Sequence, residues 1–357
     1  MQHSLRVVFL VMAAALASTS NGVAVAAGPA PPLVPIPDPM KQAEQIPDWA
    51  FKPGMLIDVG GHRMNMYCMG AGTPAVVMSS GWGWGAIAFS GIMPMIAQKT
   101  RVCAYDRADR GFSDDGPLHP PIGAEVADVH TALHKAGVRG PYIFAGWSAG
   151  GAEARRYAWT YPREVVGIVT IDGSVNDFQP AEETQKWLPQ VIKWYDDCAA
   201  AAEAKTFDSD PTLLRTCAAR LNPLVFLPKS RIAMGDHPRS AQAYAVIAQS
   251  LRDGPANDEA LRVQRRPFGS MPFLALVAGN NFLDPADTKK TPEGTVAHQA
   301  FLRASYEIAS LSADGVVVAI PYTTHSIQFD RPEMVVRWID TVVDQVRANP
   351  HPPTAAP

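Results

Sequence analysis

Residues 142–151, reading YIFAGWSAGG, constrain the fold more than any other stretch of the chain. An apolar run stops abruptly at Gly146-Trp147-Ser148-Ala149-Gly150, and a helix-compatible run follows. A serine between two glycines, entered from a strand and left by a helix, is the pattern of a sharp turn that lifts the serine hydroxyl to its apex. Glycines two residues to either side let the backbone double back closely. A glycine-rich turn that merely contains a serine fits the bare pattern equally well. The strand before it and the helix after it favour the strained turn, and make Ser148 a candidate nucleophile.

The surrounding pattern is an alternation of short apolar strands and helices. Strands are expected at 55–59, 63–68, 75–78, 101–105, 142–147, 165–171, 273–278 and 316–320. Gly60-Gly61 supplies a hairpin turn between the first two. Helices are expected at 87–98, 122–136 (with Val126, Val129 and Leu133 on one face), after Ser148, at 295–311 and at 332–346. Such alternation implies an α/β fold with a mostly parallel central sheet flanked by helices. It breaks between 176 and 267, where helical pieces, tryptophans and alanine runs occur without a convincing strand. That stretch reads as a helical cap or lid inserted between two strands, which divides the core into 49–175 and 268–348.

The ends read differently. His3 and Arg6 precede an apolar run from Val7 to Ala17, and Ala24-Val25-Ala26 offers a cleavage site, with Ala15-Leu16-Ala17 as an earlier one. Residues 1–26 are therefore expected to be a secretory signal peptide, with an uncleaved anchor as the alternative. Export to the periplasm or medium follows, without stable membrane insertion, since the run is short for a span. No cysteine precedes Cys68, which excludes a lipid-modified cysteine at the cleavage point. Residues 27–48 form a proline-rich linker, and 349–357 a proline-rich tail expected to be disordered.

A net charge of −3, with no long basic run, argues against nucleic acid as a partner. Of the four cysteines, Cys68 and Cys103 lie in expected strands and read as buried small hydrophobes. Cys198 and Cys217 flank a polar loop between two helical runs and could pair in an oxidising compartment, though spacing alone does not determine pairing. His130 and His134 stand one helical turn apart, a spacing that suits a shared metal. No carboxylate motif stands beside them in sequence, and no metal or organic cofactor is expected.

A serine nucleophile needs a base, a group that orients the base, and donors for the oxyanion. His325, after the last strand and before a helix, fits the base; the other histidines fall in less suitable places. Several aspartates could orient it: Asp172 at the end of the strand after the nucleophile helix, Asp284 and Asp287 beyond the next strand, and Asp177. The backbone amides of Ala149 and of Trp82, in the glycine loop after the third strand, are placed to serve the oxyanion. Gly81, Trp84 and Trp147 flank the same place and are expected to contact substrate. Aromatic walls suit an apolar or aromatic small molecule, although some of these rings could simply fill the core.

Taken together, the chain resembles the α/β-hydrolase superfamily. Residues 75–177 are especially similar to its serine esterase and lipase-like members. The resemblance rests on VCAYDRADRGFS at 102–113, on the stretch from Gly140 to Gly151, and on THSIQFDRPE at 324–333. It implies an α/β-hydrolase fold and ester hydrolysis by Ser148, His325 and an aspartate, with Asp106 and Arg107 bracing the loop beside the site. Two positions depart from the common pattern. Trp147 precedes the nucleophile where many relatives carry histidine, and Asn280, Asn281 and Phe282 occupy the usual acid position. The second departure shifts weight to Asp172, with Asp284 as the alternative. The same triad would also serve an amidase, lactonase or perhydrolase, and a non-catalytic ligand-binding protein on this scaffold is a further alternative. Epoxide hydrolases and haloalkane dehalogenases of this superfamily carry aspartate where Ser148 stands.

Overall fold

The computed structural model of the chain describes residues 46–118, 120, 123–179, 188–221, 239–279 and 292–349. The expected signal peptide, nearly all of the proline-rich linker, Asp284 and Asp287, and the tail after Asn349 lie outside these residues.

Eight strands form one sheet: β1 (Met55–Asp58), β2 (Arg63–Met69), β3 (Ala75–Ser79), β4 (Val102–Tyr105), β5 (Tyr142–Trp147), β6 (Val165–Ile171), β7 (Phe273–Ala278) and β8 (Gly315–Ile320). Their spatial order is β1-β2-β4-β3-β5-β6-β7-β8. The first hairpin pairs antiparallel, and β2 joins β4 antiparallel; every other pair is parallel. Every residue of β3, β4, β5, β6 and β7 is buried, as expected of parallel strands covered on both faces.

The covering helices are α1 (Ala124–Lys135), α2 (Ala149–Thr160), α6 (Pro292–Ala309) and α7 (Pro332–Ala348). Alternate strand residues serve opposite faces. Val77 and Phe144 pack with Val129 and Leu133 of α1, Tyr157 of α2 and Ile308 of α6. Their neighbours Val76 and Ile143 pack with Val335, Ile339, Val342 and Val346 of α7. Those α7 positions recur at helical spacing after Pro332, whose missing N–H costs nothing in a first turn. The helix expected at 87–98 is broken instead. A 3-10 turn at Ala86–Phe89 and a single α turn at Met93–Ile96 replace it. Gly91 and Pro94 interrupt the run, and Pro94 cannot donate the bond that would join the two turns.

Between β6 and β7 the described residues form α3 (Leu188–Glu203), α4 (Pro211–Leu221) and α5 (Ala241–Gln264), with no strand among them. These helices build a small core of their own from Tyr195, Phe207, Tyr244, Ile247 and Leu251. A disulfide between Cys198 and Cys217 ties α3 to α4. The far half of α5 is fastened to the sheet unit. Arg156 donates to the Asn257 carbonyl at 3.0 Å, and Arg262 to the Asp177 carbonyl at 3.1 Å.

Cys68 and Cys103 are not the separate buried thiols expected from their strands. They face each other in the β2/β4 register and form a second disulfide, with Cα atoms 4.1 Å apart. Antiparallel pairing brings directly opposite residues this close, and no cysteine of the chain remains free.

Candidate active site

The sheet topology creates the site. β4 and β5 lie on opposite sides of β3, so the chain leaves β3 and β5 at a switch point, where open α/β sheets form a crevice beyond the carboxyl ends of their strands. Ser148 follows the last residue of β5 and caps α2. Its φ of 53° and ψ of −123° are strained for a residue with a side chain. The two flanking glycines are sterically required. A Cβ on Gly146 would lie 2.1 Å from the Gly150 carbonyl oxygen, and one on Gly150 would lie 2.1 Å from the Ser79 carbonyl oxygen. The turn is anchored from below. The Ser148 amide donates to Ile171, and the Ser148 carbonyl accepts from Gly151 and Ser174 at 2.9 and 2.7 Å.

Asp172 occupies the corresponding place one strand over, because Trp147 of β5 is in register with Ile171 of β6. It too has a left-handed backbone, with φ 44°, and it is 2% exposed. Oδ1 accepts the Ala278 amide at 2.9 Å, and Oδ2 lies 2.7 Å from His325 Nδ1. His325 arrives on the loop after β8, whose Ile320 pairs with Ala278 at the end of β7. Ser148, Asp172 and His325 thus stand at the ends of three strands on one edge of the sheet. Asp177 serves elsewhere: it is buried with Arg155 in an ion pair of 2.5 Å.

The histidine loop is held from several sides. Asp330 Oδ2 accepts from both the Thr324 amide and the Thr324 hydroxyl, at 2.5 and 2.7 Å. Trp147 Nε1 donates to the His325 carbonyl at 2.8 Å, and the two rings lie 5.5 Å apart. Trp147 is only 3% exposed and packs edge-on against Trp84, whose ring also meets Phe329. These two indoles, expected to contact substrate, join the end of β5 to the loop that carries His325. The exposed ring is that of Trp82, at 45%.

The loop after β3 lies beside Ser148, with a Cβ position on Gly81 3.0 Å from Ser148 Cβ. A buried polar cluster beneath the loop sets its course. Arg107 donates to Glu153 at 2.7 Å, to the Ser79 hydroxyl at 2.8 Å, to the Ser80 carbonyl at 2.7 Å and to the Gly81 carbonyl at 3.4 Å. A trans peptide directs its N–H opposite to its C=O, so the Trp82 amide points away from Arg107. Ala149 is the first residue of α2, where helix geometry leaves the N–H without an intrahelical acceptor. Tyr105 also donates to Glu153, and burial together with that carboxylate pushes the Tyr105 hydroxyl well above its ordinary pKa. Asp106 braces the neighbouring loops through the amides of Ala86 and Phe112 and the Asn65 side chain, at 2.7, 3.0 and 2.7 Å.

Sequence reasoning missed Glu153 and the bond from Trp147 to the His325 carbonyl. Glu153 lies on the first turns of α2, and only its burial at 5% exposure marks it out. It also missed Glu164. This residue stands outside the site, yet it comes within 3.0 Å of His130 and 3.4 Å of His134.

A model of the Alpha/beta hydrolase family matches residues 70–338. The uncharacterized protein YbdG of Bacillus subtilis (strain 168) is 32% identical over 121 residues, which cover 33% of this chain and 37% of YbdG. The chain spans less than half the length of the curated relatives it matches. Among solved structures, a thermophilic esterase from Thermogutta terrifontis superposes with a TM-score of 0.52 at 19% identity, over 82% of this chain and 98% of that one. The epoxide hydrolase CorEH superposes with a TM-score of 0.58 at 18% identity, over 83% and 99%. Likeness at this level reflects a shared fold. The family match runs from the end of β2 to the middle of α7, across every strand whose end carries one of these side chains, and the chain belongs to the alpha/beta hydrolase family.

Proposed function

We propose that the protein is a serine hydrolase that cleaves a carboxylic ester through an acyl-enzyme. Ser148 attacks the ester carbonyl while His325 Nε2 takes its proton. The same imidazolium then protonates the departing alcohol. Asp172 holds Nδ1–H, which selects the tautomer with a free Nε2 and stabilises the imidazolium. The amides of Trp82 and Ala149 stabilise the tetrahedral oxyanion; one such donor is worth about 3 kcal/mol of barrier. Water, activated by His325, then releases the acid and restores Ser148. General-base assistance contributes roughly 10²–10⁴-fold.

The observation that carries this reading is the 2.7 Å contact between Asp172 Oδ2 and His325 Nδ1, next to a serine at φ 53°. Ser148 also separates this chain from the aspartate-based epoxide hydrolases that share its fold. The helices between β6 and β7 act as a cap over the crevice, and the exposed Trp82 ring favours an apolar or aromatic ester. Two disulfides among four cysteines support work outside the cytoplasm, in the periplasm or medium, where such bonds persist.

The test is a panel of aryl esters, amides, lactones and peroxide-dependent acyl acceptors, assayed with the native protein and Ser148→Ala. Ester turnover that disappears in Ser148→Ala supports the proposal. Full turnover in the variant, or turnover of amides or lactones alone, overturns it.

A further inference from the structure

His130 and His134 project from α1 one turn apart, and the chain folds Glu164 to them from the residue immediately before β6. Their nitrogens converge on one atom. His130 Nε2 lies 3.0 Å, and His134 Nε2 3.4 Å, from Glu164 Oε1. All three donor atoms fall within 4.8 Å of one another. A tetrahedral zinc site with bonds of about 2.0–2.1 Å sets its ligands about 3.3–3.4 Å apart; His134 and Glu164 stand at that spacing, and His130 and Glu164 would separate by a few tenths of an ångström to admit the ion.

The surroundings hold the ligands in place. The Tyr157 hydroxyl donates to Glu164 Oε2 at 2.8 Å, which leaves Oε1 directed at the imidazoles. The Tyr161 ring stacks on His130 at 4.0 Å and 12°. The Glu164 backbone is pinned at both ends, its amide donating to Tyr161 and its carbonyl accepting from Tyr142 at 3.0 and 2.7 Å. Support of this kind orients metal ligands and tunes their basicity. The cluster is open on one side, with His134 57% exposed, so a fourth position can be filled by water.

We propose that His130, His134 and Glu164 form a binding site for a first-row divalent cation, with Zn²⁺ the best match to two imidazoles and one carboxylate. The site lies at the starting ends of the parallel strands, whereas Ser148 and Asp172 lie at their finishing ends. The cation would therefore clip α1 to the turn between α2 and β6 and take no part in acyl transfer.

The test uses tag-free full-length protein stripped with a chelator and titrated with Co²⁺, followed by displacement with Zn²⁺. The expected result is one equivalent of Co²⁺ with the intense visible absorption of four-coordinate cobalt, and a rise in melting temperature with Zn²⁺. His134→Ala and Glu164→Gln should each weaken binding about tenfold or more and abolish the Zn²⁺-dependent rise, whereas His298→Ala should do neither. Tyr157→Phe should weaken binding about tenfold, as expected of a ligand-orienting partner. The metal-free melting curve of each variant shows that it is folded. Absorption that remains that of hexaaqua Co²⁺, or binding unchanged in both His134→Ala and Glu164→Gln, overturns the proposal. Ester turnover unchanged by chelation separates this outcome from any failure of the Ser148 mechanism.

Discussion

The indole nitrogen of Trp147 donates to the carbonyl oxygen of His325 at 2.8 Å, so the residue before Ser148 directly holds the loop that carries His325. The bond spans 178 residues of sequence, and the same indole packs on Trp84. Side-chain and main-chain parts of one loop are thus referred to a single rigid strand end. Trp147→Phe keeps an aromatic ring in place but removes the donor and the second ring of the indole. It should cost roughly 1 kcal/mol of stability and lower kcat more than KM. Urea unfolding and steady-state kinetics measure the two effects; an unchanged kcat would show that the loop keeps its position without this bond.

Asp172 presents one carboxylate oxygen to His325 and the other to the Ala278 amide. Asp172→Asn should lower kcat by about 10⁴-fold, the loss expected when the imidazole is held in the wrong tautomer. Asp284→Asn should leave turnover close to that of the native enzyme. A large loss confined to Asp284→Asn would reassign the acid.

Asp258, on α5, has its pKa pushed up from the ordinary 3.8 to about 6, chiefly by burial and secondly by repulsion from Asp177. The folded state therefore binds this proton more tightly than the unfolded state. Stability contributed by the group is present at low pH and is lost as pH rises from about 4 to about 6. Asp258→Asn should raise the melting temperature at pH 8 and leave it nearly unchanged at pH 4. An equal effect at both pH values would refute the sign.

Both disulfides should be present in protein recovered from an oxidising compartment. Unreduced, denatured protein should then contain no free thiol, by reagent assay or intact mass. The Cys198–Cys217 bridge closes a loop of 19 residues. In a chain-entropy account its loss costs about 3 kcal/mol. The double Cys198→Ser, Cys217→Ser variant should unfold its helical insertion at lower temperature than the sheet. Two or more free thiols in the native protein would contradict the pairing.

Much of this molecule is readable from local pattern. Strands β5, β6 and β7 match their expected bounds, and the others agree to within a residue at either end, because runs such as 142–147 and 165–171 are short and largely apolar. Ser148 and its two glycines announce their turn because the steric demand lies within five residues. What local pattern could not decide was partnership. The sequence favours Asp172 but leaves Asp284 and Asp177 open, and only the registers of β5 with β6 and of β7 with β8 bring the end of β6 to the loop where Asp172 lies 2.7 Å from His325. Cys68 and Cys103 read as core residues until the β2/β4 pairing set them opposite one another. Glu164 meets His130 only after a helix and a strand intervene. Periodicity and backbone sterics act over a few residues and are written in the chain itself. Contacts between distant residues depend on strand order and register, which the packing of the whole sheet selects.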